Sequence, residues 1–169
     1  MLHIYFGDGK GKTSAGIGAC IRALGQGKRI LIIQFLKFGF STGEAKFLSR
    51  RRGVTFRQFG QPGFVVDGKV SPALKALVQK GLDFSIREIC CGKWDIVFLD
   101  ELLVAVQFGI VDENEVITLI KKCPAKTELI ITGRKCPPCI KKLGQYVTEF
   151  RKISHPFDNG EKARLGIEW

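Results

Sequence analysis

The sequence predicts an α/β fold, an open and mostly parallel sheet with helices on both faces, and three observations predict it. An apolar run, Leu2 to Phe6, leads directly into the glycine-rich turn Gly7-Asp8-Gly9-Lys10-Gly11 and then into a helical stretch from Lys12. Further apolar runs at Arg29 to Leu36, Asp95 to Leu99 and Leu129 to Ile131 alternate with helical patterns, the order expected of strands joined by right-handed crossovers. The Arg29 to Leu36 run is apolar almost throughout rather than at every second residue, so both of its faces are covered, as in a parallel sheet.

Each element follows from local signals. Lys12 to Leu24 is the helix after the turn, stopped by Gly25 to Gly27, because glycine ends helices at low steric cost. After the second strand and a Gly/Phe loop, Glu44 to Arg52 reads as a short helix and Val54 to Phe56 as a short strand. Residues 58 to 71 carry Gly60, Pro62, Gly63 and Gly68 without periodicity and form the one long loop, a length that tends to be functional. Ser71-Pro72 supplies a capping hydroxyl and a proline at the first helical position of a helix ending near Cys91. Asp112 with Glu115 three residues on starts a helix to Lys122 in the manner of a capping box. Pro137 to Leu143 is a further helix and Tyr146 to Phe150 a last short strand.

At 169 residues and 45% apolar composition the chain has the length and core of one domain, residues 1–169. No apolar run is long enough to span a membrane and no charged leader precedes the first strand, so a cytoplasmic protein with no membrane partner is expected. Lys and Arg exceed Asp and Glu by 27 to 16, a formal +11, which favours polyanionic partners without choosing among nucleotide, phosphorylated cofactor and nucleic acid. Arg50-Arg51-Arg52, the densest cluster, reads as a solvated helix end or an anion contact. The six cysteines are read as reduced thiols. Cys136-Pro137-Pro138-Cys139 has metal or redox spacing, but a zinc site needs four ligands and the other close pair is Cys90-Cys91.

The chemistry concentrates at the carboxyl ends of the strands, where ligands of open α/β sheets lie. Gly7 to Ser14 form a phosphate cradle: backbone N–H groups and the positive end of a helix dipole surround a polyphosphate, and Lys12 neutralises its charge. Gly7 and Gly11 enclose three residues where the usual pattern has four. A loop one residue short wraps the β- and γ-phosphates differently and offers a different atom of ATP for reaction. The Thr13 hydroxyl is placed to bind Mg²⁺, and Ile96 to Glu101 is a strand that delivers the acid Asp100 to the metal or its water shell. Arg134, at the end of the strand Leu129 to Ile131, is a candidate phosphate contact. Of the two histidines, His3 falls inside the first strand and His155 near the C-terminus, and both are read as structural. Seven phenylalanines fall between Phe35 and Phe64, a surface that suits a large flat apolar ligand or else packs beneath loops.

The ordered motifs GDGKGKTS, IRALGQGK, QFLKFG, GEAKFL, GQPGF, DIVFLDEL, ELIITGR, YVTEF and SHPFDNGEKARLGIEW resemble, along essentially the whole chain, the ATP:corrinoid adenosyltransferases of the cob(I)alamin type. The resemblance implies a homodimeric P-loop enzyme of RecA-like topology. Such an enzyme moves the 5′-deoxyadenosyl group of ATP to the cobalt of a reduced corrinoid and releases triphosphate, with Mg²⁺ or Mn²⁺ as cofactor. It implies that Gly7, Asp8, Gly9, Lys10, Gly11, Lys12, Thr13 and Ser14 hold the phosphates, that Thr13 and Asp100 serve the metal, and that Arg22 and Glu101 contact the nucleoside. Lys12, Thr13 and Glu101 are then the catalytic candidates, and Phe64 faces the corrin ring. Cobalt(I) is a strong nucleophile with no proton to remove, so a missing general base is expected. A partner that supplies electrons is possible and nucleic acid is not expected. Val66 stands where related sequences often have tryptophan, Tyr146 where they commonly have aspartate, and an N-terminal extension found in some relatives is missing. Two rival readings are a RecA-type ATPase stimulated by nucleic acid, with steep salt dependence, and a non-catalytic carrier of ATP or corrinoid.

Overall fold

The computed structural model describes residues 1–39, 41–63 and 70–168. Six strands, β1 (Leu2–Phe6), β2 (Ile30–Phe35), β3 (Val54–Phe59), β4 (Ile96–Asp100), β5 (Glu128–Gly133) and β6 (Tyr146–Glu149), form one sheet in the order β3-β2-β4-β5-β1-β6. Every pairing is parallel, so the expected mostly parallel sheet is parallel throughout among the described residues. Six helices connect the strands: α1 (Lys12–Gly25), α2 (Gly43–Leu48), α3 (Pro72–Cys90), α4 (Leu102–Gln107), α5 (Glu113–Lys122) and α6 (Pro138–Lys141).

Alternation along β2 explains why all six of its residues are buried. Ile30 and Ile32 pack with Ile17 and Cys20 of α1 and with Ala45 and Leu48 of α2. Leu31, Ile33 and Phe35 join the opposite core with Val78 and Leu82 of α3, Leu102 and Leu103 of α4, Val116 of α5 and Ile140 of α6. A strand covered on both faces needs apolar residues at successive positions. The edge strand β6 differs, since all four of its residues are exposed.

The local signals held where the interactions are local. Ser71 accepts the Leu74 N–H at 3.1 Å with Pro72 in the first turn, and Asp112 and Glu115 exchange capping hydrogen bonds at the start of α5. Two ends moved, and one helix went unread, for tertiary reasons. β3 runs on to Phe59 because it pairs with β2 over its full length, from Ile30 opposite Val54 to Phe35 opposite Phe59. α2 ends at Leu48 rather than Arg52; Arg51 turns back to lie 4.0 Å over the Phe47 ring and Gly53 takes φ 85°. α4 has no counterpart in the sequence reading: Leu102 to Ala105 are all buried, so the segment lacks the polar face from which helical periodicity is read.

Candidate active site

The carboxyl ends of β1, β4 and β5 bring the cradle, Glu101 and Thr132-Gly133-Arg134 around one cleft of about 340 Å³, with Asp100 buried behind it. Asp8 to Ser14, Glu101 and Arg134 all line it. The cradle rests on the chain that leaves β6. Gly9 donates its N–H to the Phe150 carbonyl at 2.8 Å, and a Cβ on Gly9 would stand 2.8 Å from the Arg151 carbonyl, so only glycine allows this approach. Asp8 accepts the Lys152 N–H at 3.2 Å, and that bond holds its carboxyl below the usual range. Gly11, with φ 115°, is the N-cap of α1, whose first N–H groups and dipole therefore face the cleft.

Lys12 curls over the loop and donates to the Gly9 carbonyl at 2.6 Å. Burial, and then the nearby Arg134, hold its ammonium below the ordinary lysine value, against the pull of Glu101, Asp8 and Asp100. The Lys12 ammonium and Arg134 therefore bring two cations to one cleft, an arrangement relieved by a polyanion.

Asp100, the last residue of β4, is fully buried and is the hub of the site. Its Oδ1 accepts from the hydroxyls of Thr13 at 2.9 Å and Thr132 at 2.8 Å. Its Oδ2 accepts from Lys37 Nζ at 2.9 Å and Gln34 Nε2 at 3.1 Å. Burial pulls the Lys37 ammonium down, but Asp100 and Glu101 outweigh it, and its pKa is raised. Glu101 follows in the left-handed region, φ 62°, with its N–H donated to Thr132 Oγ1 at 2.8 Å. Burial, and then the Asp100 charge, push the Glu101 carboxyl up to about 7, against Lys37, Arg134 and Lys12.

Some participants carried no sequence signal strong enough to find them. Thr132 and the loop after Phe35 are expected on the rim from the strand ends, but Lys37 and Gln34 were not singled out, although Gln34 is the one polar residue in an otherwise apolar strand and Lys37 stands just after it. The C-terminal segment also reaches the cleft: His155, Ile167 and Glu168 line it. Glu168 pairs with Lys10 at 2.8 Å, and Arg164 followed by Lys10 holds its carboxyl down to about 2. His155 Nδ1 accepts the Phe157 N–H at 3.2 Å and caps the turn Pro156–Asn159, so the residue is structural and at the cleft together.

Arg22 is not brought to the cradle. It lies on the last turn of α1, ten residues beyond Lys12, about 15 Å along the helix. There it lines a separate cleft of about 410 Å³ with Lys28, Asp95, Lys126 and Glu128 at the amino ends of the strands. That cleft has no glycine turn and no helix N-terminus. Phe64 and Val66 lie outside the described residues. Of the other clustered phenylalanines, Phe35 and Phe56 are core, Phe59 packs on Phe84 at 5.8 Å between ring centroids, and Phe38 and Phe47 are exposed. His3 bonds to Glu128 at 2.8 Å and stacks on Tyr146, away from the cradle. Among the described residues no His/Cys/Asp/Glu cluster has metal-site geometry, no helix is long and apolar enough to cross a membrane, and Cys139 donates to the Glu113 carboxylate.

Comparison with known proteins places the whole chain beside one enzyme family. The family described as ATP:corrinoid adenosyltransferase BtuR/CobO/CobP matches residues 1–169. The corrinoid adenosyltransferase of Escherichia coli (strain K12) is 34% identical over 169 residues, covering 100% of this chain and 85% of that protein. Corrinoid adenosyltransferase CobA of Salmonella typhimurium (strain LT2) is 35% identical with the same coverage of both chains. A corrinoid adenosyltransferase of Pseudomonas aeruginosa is 31% identical over 170 residues, 100% of this chain and 83% of that one.

Proposed function

The chain belongs to the ATP:corrinoid adenosyltransferase family, and we propose from its cleft how it moves the adenosyl group of ATP to a corrinoid. The observation that supports the reading most is the short cradle itself, three residues between Gly7 and Gly11, set against a wall of buried Asp100 and the cations Lys12 and Arg134.

The cradle N–H groups, the α1 dipole and Lys12 bind the triphosphate, and Arg134 meets its outer oxygens. The shortened loop turns the ribose 5′ carbon, not the terminal phosphorus, toward the corrinoid. The cobalt(I) of the reduced corrinoid brings its own electron pair, so no residue has to remove a proton. As the cobalt–carbon bond forms, the 5′ carbon–oxygen bond breaks and its electron pair leaves with the triphosphate. Lys12 and the loop amides take up that departing charge from fixed positions, the form of catalysis that needs no rearrangement at the moment of reaction. Hard oxygen donors suit Mg²⁺ or Mn²⁺, and here they are the Thr13 hydroxyl with Asp100 behind it. A bound Mg²⁺ would add positive charge to the departing triphosphate. Glu101 contacts the nucleoside and the segment around Phe64 faces the corrin ring. Residues 1–169 act as one domain of a cytoplasmic homodimer that draws reduced corrinoid from an electron-donating reductase.

The test is to mix the protein with ATP, Mg²⁺ and chemically reduced cob(I)alamin and to follow the light-sensitive spectrum of adenosylcobalamin together with the phosphate product. Adenosylcobalamin with triphosphate supports the reading. ADP and inorganic phosphate, with no cobalt–carbon bond, overturn it.

A further inference from the structure

Asp100 offers no free edge to the cleft. Four donors, Thr13, Thr132, Gln34 and Lys37, already occupy its two oxygens at 2.8 to 3.1 Å. Three of those donors are neutral and the fourth is an ammonium. The Lys37 side chain is 22% exposed and its carboxylate partner 0%, so the pair is shielded from water, where a neighbouring charge has a strong effect.

The backbone is arranged to keep Lys37 in this place. Leu36, just before it, is held in the left-handed region at φ 61° and donates its N–H to the Phe59 carbonyl at 2.9 Å. For a leucine this conformation is costly and persists only where the surroundings impose it. Gly60 permits it: a Cβ at that position would stand 2.6 Å from the Lys37 nitrogen and 2.7 Å from its carbonyl oxygen, so only glycine lets the two backbones lie this close. Leu36 and Glu101 are the described non-glycine residues with positive φ, and they flank the Lys37–Asp100 pair from the ends of neighbouring strands, β2 and β4.

We propose that Lys37 is the residue that makes metal binding depend on nucleotide. Its ammonium supplies the positive charge that Asp100 would otherwise take from a divalent cation and covers one of its two oxygens. Asp100 therefore acts on the metal through the Thr13 hydroxyl or a water and does not take up a free cation. With Lys12 and Arg134 also cationic, the site admits a divalent ion when the polyphosphate brings it. This inference rests on the reading of the cleft as a metal–nucleotide site and assigns to Lys37 a positioning role, exerted through Asp100.

The experiment is a Mn²⁺ titration in which protein-retained ion is separated by rapid ultrafiltration from free and ATP-chelated Mn²⁺ and counted by its electron paramagnetic resonance signal after acid release, on wild type, Lys37→Met and Lys37→Arg, with and without ATP. Wild type is expected to bind Mn²⁺ with ATP at least about tenfold more tightly than without it, and Lys37→Met to gain about tenfold in nucleotide-free Mn²⁺ affinity. Lys37→Arg, which keeps the charge, stays near wild type. Should Lys37→Met be weakly folded, Mn²⁺ alone raises its melting temperature and leaves that of wild type unchanged. The proposal is overturned if wild type binds Mn²⁺ equally with and without ATP, or if Lys37→Met leaves nucleotide-free affinity and its melting response to Mn²⁺ as in wild type. The nucleotide-free arm judges Lys37 by itself. Failure of ATP to bind the wild-type protein would count against the cleft reading instead.

Discussion

The Lys12 ammonium donates to the carbonyl of Gly9, three residues back in the same loop, at 2.6 Å. The lysine thus closes the cradle by a bond to its own backbone, and the cation is already in place before any phosphate arrives. Lys12→Ala is expected to lower kcat/KM for adenosyl transfer by about 10²–10³, the range for loss of one preorganised charge donor. Initial rates of adenosylcobalamin formation over a range of ATP concentrations measure this. A loss below about threefold would remove Lys12 from the triphosphate.

Glu101 gives the fold a pH dependence of defined sign. Its carboxyl is raised from 4.5 to about 7, chiefly by burial, so the folded chain holds this proton more tightly than the unfolded one. The stabilisation from the proton is complete below about pH 4.5 and is lost as pH rises toward 7, by at most about 3 kcal/mol. Glu101→Gln is expected to flatten that part of the curve and to be the more stable protein at pH 8. Urea unfolding of both proteins between pH 4.5 and 8 checks it, and parallel curves would show that the Glu101 proton is not linked to folding.

Gly16 sets how closely α1 approaches the sheet. A Cβ there would collide with the ring of Phe98, a residue of β4 that is 0% exposed. Gly16→Ala is therefore expected to cost about 1–3 kcal/mol by overpacking, and Phe98→Leu in the same chain to recover part of it. Thermal or urea unfolding of the single and double variants measures the coupling. Additive effects would mean that the helix shifts away without using the ring.

Arg22 and the cradle occupy opposite ends of α1. Arg22→Ala is expected to leave ATP affinity of the isolated chain within about twofold, since charges on an exposed surface about 15 Å apart exceed the screening length at physiological salt. Calorimetric titration with ATP decides the point. A loss of an order of magnitude would show that a nucleotide reaches Arg22 after all, for which a second subunit supplies the obvious route.

How far the site could be read in advance depended on how far apart its parts lie in the chain. The cradle, the helix after it and the acidic pair closing β4 are each a few consecutive residues, and all were legible. Thr13 and Asp100 were both identified, and the structure joins them by a hydrogen bond across 87 positions. Lys37 was not identified, because a lysine after a strand reads as an ordinary solvated end until β2 and β4 are laid side by side. The partner segments of the cradle were missed for the same reason: Phe150, Lys152 and Glu168 come from the far end of the chain.

The sequence by itself determined the fold class, the order of the strands and of every helix but α4, the caps of α3 and α5, and the short glycine-rich loop, since each rests on contacts between near neighbours. Tertiary structure alone decided that β1 lies between β5 and β6, that the tail returns to the cradle, and that Lys37 ends against Asp100. Those outcomes follow from parallel pairing and from packing on both faces of the sheet, whose partners stand tens of residues apart and leave no periodic mark on the chain between them.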